Sequence, residues 1–143
     1  MRRIYWDTML LIYLLDGHPR YSARVLELLK ISLRRGDQLF TSFLGLGELM
    51  AGAAKAPVPS TAAEIRKQLS DIQFSYLPFD SASVDIFAAL RAIHKVKSPD
   101  AINLACAGGA GIDLFLTGDR QLMKLYVPGI NFIADFENPL LQL

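Results

Sequence analysis

Four carboxylates stand in segments where charge is out of place. Asp7 is the only charged residue between Ile4 and Leu15, Glu48 the only one between Gln38 and Ala54, and Asp100 the only one between Ser98 and Ile112. Asp119 follows the apolar run Leu114–Leu116 through Thr117 and Gly118. A carboxylate is costly to bury unless paired, so four of them in segments that read as buried suggest a common task. Like charges drawn together repel unless a cation sits between them. Oxygen donors without histidine or cysteine favour hard ions such as Mg²⁺ or Mn²⁺ over zinc. A metal held this way can activate water and stabilise the charge that develops as a phosphodiester is hydrolysed.

Each acid also has a plainer reading. Asp7 can cap the helix it precedes, Asp100 suits the positive end of its helix, and Asp119 can serve a turn after glycine. Glu48 is hardest to excuse, because its helix has no other polar handle. The shared position of the four in the fold decides between the readings.

Ile4–Trp6 reads as a buried strand, and Thr8–Leu15 as the helix after it. A second helix opens at Pro19 and Ser22 and stops at Arg34-Arg35-Gly36. Gln38–Ser42 is a strand, with Ser42 placed to cap a helix over Leu44–Ala54. Ser60 begins another helix with Ile65, Leu69 and Ile72 on one face, and Phe74–Phe79 is strand-like. The rhythm repeats with a helix from Ser81 and one from Ser98-Pro99 to about Ala107, ended by Gly108–Gly111. A strand over Asp113–Thr117, a short helix over Arg120–Leu125 and a strand over Ile130–Ala134 close the chain. This alternation predicts an α/β fold of three layers, a parallel sheet with helices on both faces. In such sheets ligands bind outside the carboxyl ends of the strands, where strand order reverses. Asp7 and Asp119 fall there directly, and Glu48 and Asp100 lie early in the following helices.

At 143 residues the chain is expected to form one domain, 1–143, with a core that needs no staples. With 52% hydrophobic and 20% charged residues it is not a disordered chain. A mean hydropathy of +0.27 points to a sheet buried on both faces or a surface used for association. The net charge of +1 carries no overall basic field, so any nucleic-acid contact must be local. One cysteine, Cys106, leaves no internal disulfide and no cysteine metal cluster. Asp7 and Asp16 interrupt the apolar start, so it reads neither as a signal peptide nor as a membrane span. The expectation is a soluble cytoplasmic protein.

Four segments, DTMLLIYLLDGHP, TSFLGLGELMAG, VKSPDAINLACAGGAG and DLFLTGDRQL, resemble in order and spacing the motif blocks of PIN-domain nucleases, nearest to the VapC-type toxins of toxin–antitoxin pairs. The resemblance implies a five-stranded parallel sheet and a Mg²⁺- or Mn²⁺-dependent endoribonuclease with Asp7, Glu48, Asp100 and Asp119 as the acidic positions. It implies that Thr117, the hydroxyl residue before the last acid, supports the site. It also implies an RNA substrate and a cognate antitoxin. Two departures stand out: Met9 where the family usually has a small polar residue, and Asn103 where it often has histidine.

Lys55, Lys95, Lys97 and Arg120 flank the acidic segments as possible phosphate contacts, with Arg34-Arg35 expected at the far end. His94 reads as a surface helix residue and His18 as a loop residue. Tyr5, Trp6 and Tyr13 read as core or interface, and Cys106 as core. The apolar composition and the tail Pro139-Leu140-Leu141, which reads as exposed, suggest an even-numbered homo-oligomer, a homodimer or a dimer of dimers, and a peptide partner over the acidic cleft. Competing readings are a degenerate fold that binds RNA or protein without cleavage, and a phosphoacceptor or phosphatase fold prompted by Asp7-Thr8 after a strand. The second lacks the neighbouring aspartate that chemistry needs.

Overall fold

A computed structural model describes residues 2–139 and Leu141. Its strands are β1 (Arg3–Trp6), β2 (Gln38–Ser42), β3 (Phe74–Leu77), β4 (Ile112–Thr117) and β5 (Ile130–Asp135). Its helices are α1 (Thr8–Asp16), α2 (Ser22–Arg35), α3 (Phe43–Ala54), α4 (Ala62–Asp71), α5 (Ser81–Ala92) and α6 (Ser98–Ala110). All strands pair in parallel, in the order β3-β2-β1-β4-β5. The expected α/β architecture is present.

Side chains alternate across a strand, and that alternation divides the core. Ile4, Trp6, Leu39, Leu114 and Leu116 point to the face covered by α1, α2, α3 and α4. Tyr5, Phe40 and Phe115 point to the other face, against α5 and α6. Because β1 is covered on both sides, Ile4, Tyr5 and Trp6 are all fully buried, hence their continuous apolar run. The chain steps outward from β1 to β3, then returns to the far side of β1 for β4 and β5. That reversal opens a crevice at the carboxyl ends of β1 and β4.

Most local signals hold. Gly36 ends α2 in the left-handed conformation (φ 73°), and Ser42 Oγ accepts from the Gly45 N–H at 2.9 Å to cap α3. The differences have physical causes. Thr61, not Ser60, caps α4, through a reciprocal box with Glu64. The third strand stops at Leu77, before Pro78, which has no N–H for a ladder. The segment after β4 contains only a 3₁₀ turn, Leu122–Lys124. Helix α6 runs through Gly108 and Gly109 to Ala110, three residues beyond the expected stop, and is capped by Gly111. Here glycine marks close approach: a Cβ at Gly108 would run into the Pro128 carbonyl oxygen, and one at Gly129 (φ 87°) into the Gly108 carbonyl. The tail is also tied down. Arg24 donates to the carbonyls of Phe136, Asn138 and Leu141; of the tail expected to be exposed, Pro139 is exposed, Leu141 is half-buried against the core, and Leu140 lies outside the described residues.

Candidate active site

Asp7 is the residue after β1, and its N–H donates to the Leu116 carbonyl at 2.9 Å, carrying the β1–β4 ladder one step further. Both of its carboxylate oxygens are engaged. Oδ1 accepts from the Thr8 N–H at 2.8 Å, so Asp7 is the N-cap of α1. Oδ2 accepts from the Thr117 hydroxyl at 2.8 Å. Asp7 thus caps α1 while the same side chain lines the cleft described below. Thr117, fully buried, also accepts the Asp119 N–H at 3.0 Å, so one hydroxyl joins the loops after β1 and β4. Asp119 Oδ1 accepts from the Gln121 N–H at 2.9 Å, the turn geometry expected of an aspartate after glycine.

Glu48 comes from α3. A Cβ at Gly45 would stand 2.6 Å from Thr41 Oγ1 and 3.1 Å from Thr8 Oγ1, so glycine lets α3 lie close to the start of α1. The Thr8 hydroxyl then reaches Glu48 Oε1 at 3.3 Å. Asp100 sits in the first turn of α6, and Asn103, one turn on, fixes that helix end. Asn103 Oδ1 accepts from the hydroxyls of Tyr5 and Ser42, the latter at 2.6 Å, and its Nδ2 donates to the Pro99 carbonyl at 3.1 Å. Burial pushes the Tyr5 phenol well above its usual range, which keeps that donor protonated.

These elements bring Asp7, Glu48, Asp100 and Asp119 to the wall of one cleft of about 510 Å³, together with Thr8, Asn103 and the apolar Met9, Ile12 and Tyr13. The Asp7 carboxyl is raised above its ordinary range, first by burial, against the opposing Thr117 and Thr8 hydrogen bonds, and further by Asp100 and Glu48. Asp100 is raised by burial and by Asp119, with Lys97 opposing. The acids therefore sense one another. Among the described residues, however, no three His, Cys, Asp or Glu side chains form a closed metal-ligand group. The donor set is all oxygen around an open cleft. That suits a cation such as Mg²⁺, which keeps several waters and leans on one or two carboxylates.

The expectation that all four acids are buried is corrected. Asp7 and Asp100 are partly buried, whereas Glu48 and Asp119 are exposed. An apolar segment can still turn one residue to a water-filled cleft, where a carboxylate keeps its solvation. Arg120 pairs with Asp135 at 3.6 Å, and Arg35 lies 3.7 Å from Asp37 at the amino edge of the sheet, far from the cleft. His94 is exposed as expected but lies past the end of α5, not on a helix. His18 is a loop residue, whose Nδ1 accepts from the Arg20 and Tyr21 N–H groups. Tyr5 and Trp6 are core; Tyr13 is partly buried, its ring 4.7 Å from Tyr21. Cys106 is buried, its thiol pushed up to about 11 by burial, so it is inert. The sequence points to Ser42 as a cap but not to its bond with Asn103, nor to Thr8 and Gly45; these roles rest on contacts across 40 or more residues or on the space between two helices. The one available signal was a hydroxyl residue directly after Asp7.

The sequence model of the PIN domain family matches residues 4–127. No curated protein matches the chain. Among solved structures, a chain of VapBC2 from Rickettsia felis, determined bound to a DNA fragment from their promoter, superposes with a TM-score of 0.67 at 17% identity, covering 92% of this chain and 98% of that one. A toxin–antitoxin complex from Klebsiella pneumoniae gives 0.63 at 24% identity, covering 89% and 94%. FitAcB from Neisseria gonorrhoeae gives 0.62 at 21% identity, covering 81% and 87%. At these identities the likeness bears on the fold.

Proposed function

The chain belongs to the PIN domain family, and on that premise we propose that it is a metal-dependent endoribonuclease, the cytoplasmic toxin of a toxin–antitoxin pair. The observation that carries the reading is the convergence of four carboxylates from four separate elements on one cleft at the β1/β4 reversal. Asp7, Glu48, Asp100 and Asp119 are the residues that would hold Mg²⁺ or Mn²⁺, and such an ion, when bound, supplies an activated water and a counter-charge for the phosphoryl oxygens. The chain's own part is positioning. Thr117 holds Asp7 and the Asp119 loop, Thr8 steadies Glu48, and Asn103 fixes the α6 end that carries Asp100. Met9, exposed on the cleft wall, offers no hydrogen bond of the kind a small polar residue would.

The cleft also fits an inhibitory partner. A lining that combines the four acids with Met9, Ile12 and Tyr13 suits a segment with an arginine flanked by apolar side chains, and its guanidinium would compete with the metal. The similar folds seen in toxin–antitoxin complexes support this reading.

The test is cleavage of total RNA with Mg²⁺ or Mn²⁺. Activity is expected to vanish with chelator and in the Asp7→Asn, Asp100→Asn double variant. Undiminished cleavage by that variant would sink the metal mechanism. RNA binding without cleavage by the wild type would favour the degenerate module.

A further inference from the structure

Beside the acidic cleft lies a second concavity of about 220 Å³ that shares Asp100 and Asp119 as a common wall. Its floor is apolar, from Val96, Leu122 and Leu125, and its rim carries His94, Lys95, Lys97 and Gln121. Resting on the nuclease reading above, we propose that this notch is the subsite for the one nucleotide next to the cleaved bond. Lys95 and Lys97 take its phosphate, the apolar floor takes the face of its base or sugar, and the Gln121 amide meets its edge.

Electrostatics demands such a site. A polyanion crossing four carboxylates is repelled, and a net charge of +1 provides no general field to hold it. Cations must therefore stand locally. Arg120, Lys67 and Arg35 are occupied by Asp135, Asp71 and Asp37. Lys95 and Lys97 close no ion pair among the described residues, and both line the notch.

The loop is built to present them. Val96 between the two lysines is buried; its N–H donates to the Leu90 carbonyl at 3.0 Å and its carbonyl accepts from Arg91 at 3.0 Å. With the middle residue pinned inward, the lysines on either side of it are exposed, and both line the notch. Lys95 also holds a left-handed backbone (φ 55°), a conformation glycine or asparagine adopts more cheaply. A lysine kept there points to a need for its side chain. The volume is small beside the roughly 300–1,000 Å³ of whole-ligand pockets, which limits the occupant to one nucleotide unit. Gln121 offers a donor and an acceptor together, the means by which an amide discriminates between base edges.

The same geometry supplies variants that remove charge without weakening the fold. Lys95→Gly relieves the left-handed strain. Lys97→Ser gives α6 the side-chain cap it lacks. Binding of a mixed-sequence RNA oligonucleotide is measured in chelator, where no cleavage intervenes, and cleavage separately with Mg²⁺. The double variant is expected to melt no lower than wild type yet bind at least tenfold more weakly. Its log–log salt slope should be shallower by about 0.7 for each phosphate it no longer neutralises. Its KM should rise far more than its kcat falls. Lys95→Arg with Lys97→Arg should retain affinity, Lys67→Gln should match wild type, and Gln121→Ala should flatten the preference among bases beside the cut. Wild-type affinity and salt slope in the Gly/Ser variant would overturn the subsite even if cleavage persists. Lysine-dependent binding by a wild type that never cleaves would uphold the subsite and overturn the nuclease reading. A wild type that binds no RNA would overturn both.

Discussion

The Thr117 hydroxyl donates to Asp7 Oδ2 at 2.8 Å from a position 110 residues away in sequence, and the same oxygen accepts the Asp119 N–H at 3.0 Å. One proton and one lone pair thus hold two of the four acids in register across the β1/β4 crevice. Thr117→Val keeps the shape and removes both bonds. It should cost about 1–3 kcal/mol of stability and lower metal-dependent cleavage about 10–100-fold, as removal of a ligand's supporting partner does. Thr117→Ser should restore most of both. Urea melts and initial rates on the two variants check this, and a fully active Thr117→Val would remove Thr117 from the site.

The raised carboxyls of Asp7 and Asp100 make stability fall with rising pH. The folded protein still binds protons at these sites where the unfolded chain, with an ordinary carboxyl value of 3.8, has released them. The stabilising protonation is thus lost as pH climbs from about 3.8 through the raised folded values. Asp7→Asn removes one such site, so in chelator its stability relative to wild type should improve as pH rises across that window. A difference that stays flat with pH would show that Asp7 is not perturbed.

Metal should reverse the repulsion. Mg²⁺ at ten times its dissociation constant is expected to add about 1.4 kcal/mol to wild-type stability, roughly 3–6 °C in melting temperature at this chain length. Asp119→Asn removes a repelling charge yet keeps the Oδ1 that accepts from Gln121. It should melt above wild type in chelator and gain much less from Mg²⁺. Wild type indifferent to Mg²⁺, together with a less stable variant, would mean the four acids do not share an ion.

Two glycines in helices should respond in opposite directions. Gly108→Ala forces a methyl against the Pro128 carbonyl and should destabilise by about 1–3 kcal/mol. Gly52→Ala, in α3 with open space around it, should stabilise by about 0.5–1 kcal/mol. Thermal melts of both decide whether α6 continues through Gly108 because it packs there.

The proposed association would draw on exposed apolar side chains such as Phe43, Ile93, Tyr126 and Phe132. Light scattering at micromolar concentration should show an even-numbered oligomer of this chain. A small partner protein encoded beside it should add mass and weaken Mg²⁺ binding. A monomer that ignores the partner would count against both the oligomer and the antitoxin reading.

Much of this was legible in the sequence because it is local. The apolar run Ile4–Trp6, the Ser42 cap, the Gly36 stop and the isolated Asp7, Glu48, Asp100 and Asp119 are properties of neighbouring residues, and backbone sterics and solvation act on them directly. Tertiary structure decided what depends on approach. Strand order put β4 beside β1, and only then could Thr117 reach Asp7. Thr8 meets Glu48 because Gly45 leaves space between two helices, and position 108 within α6 needs glycine because a distant carbonyl leaves no room for a Cβ. Exposure, too, was settled by packing. Glu48 sits in an apolar segment yet faces water, because a helix buries only one side and the sheet's carboxyl edge left the other open to the cleft.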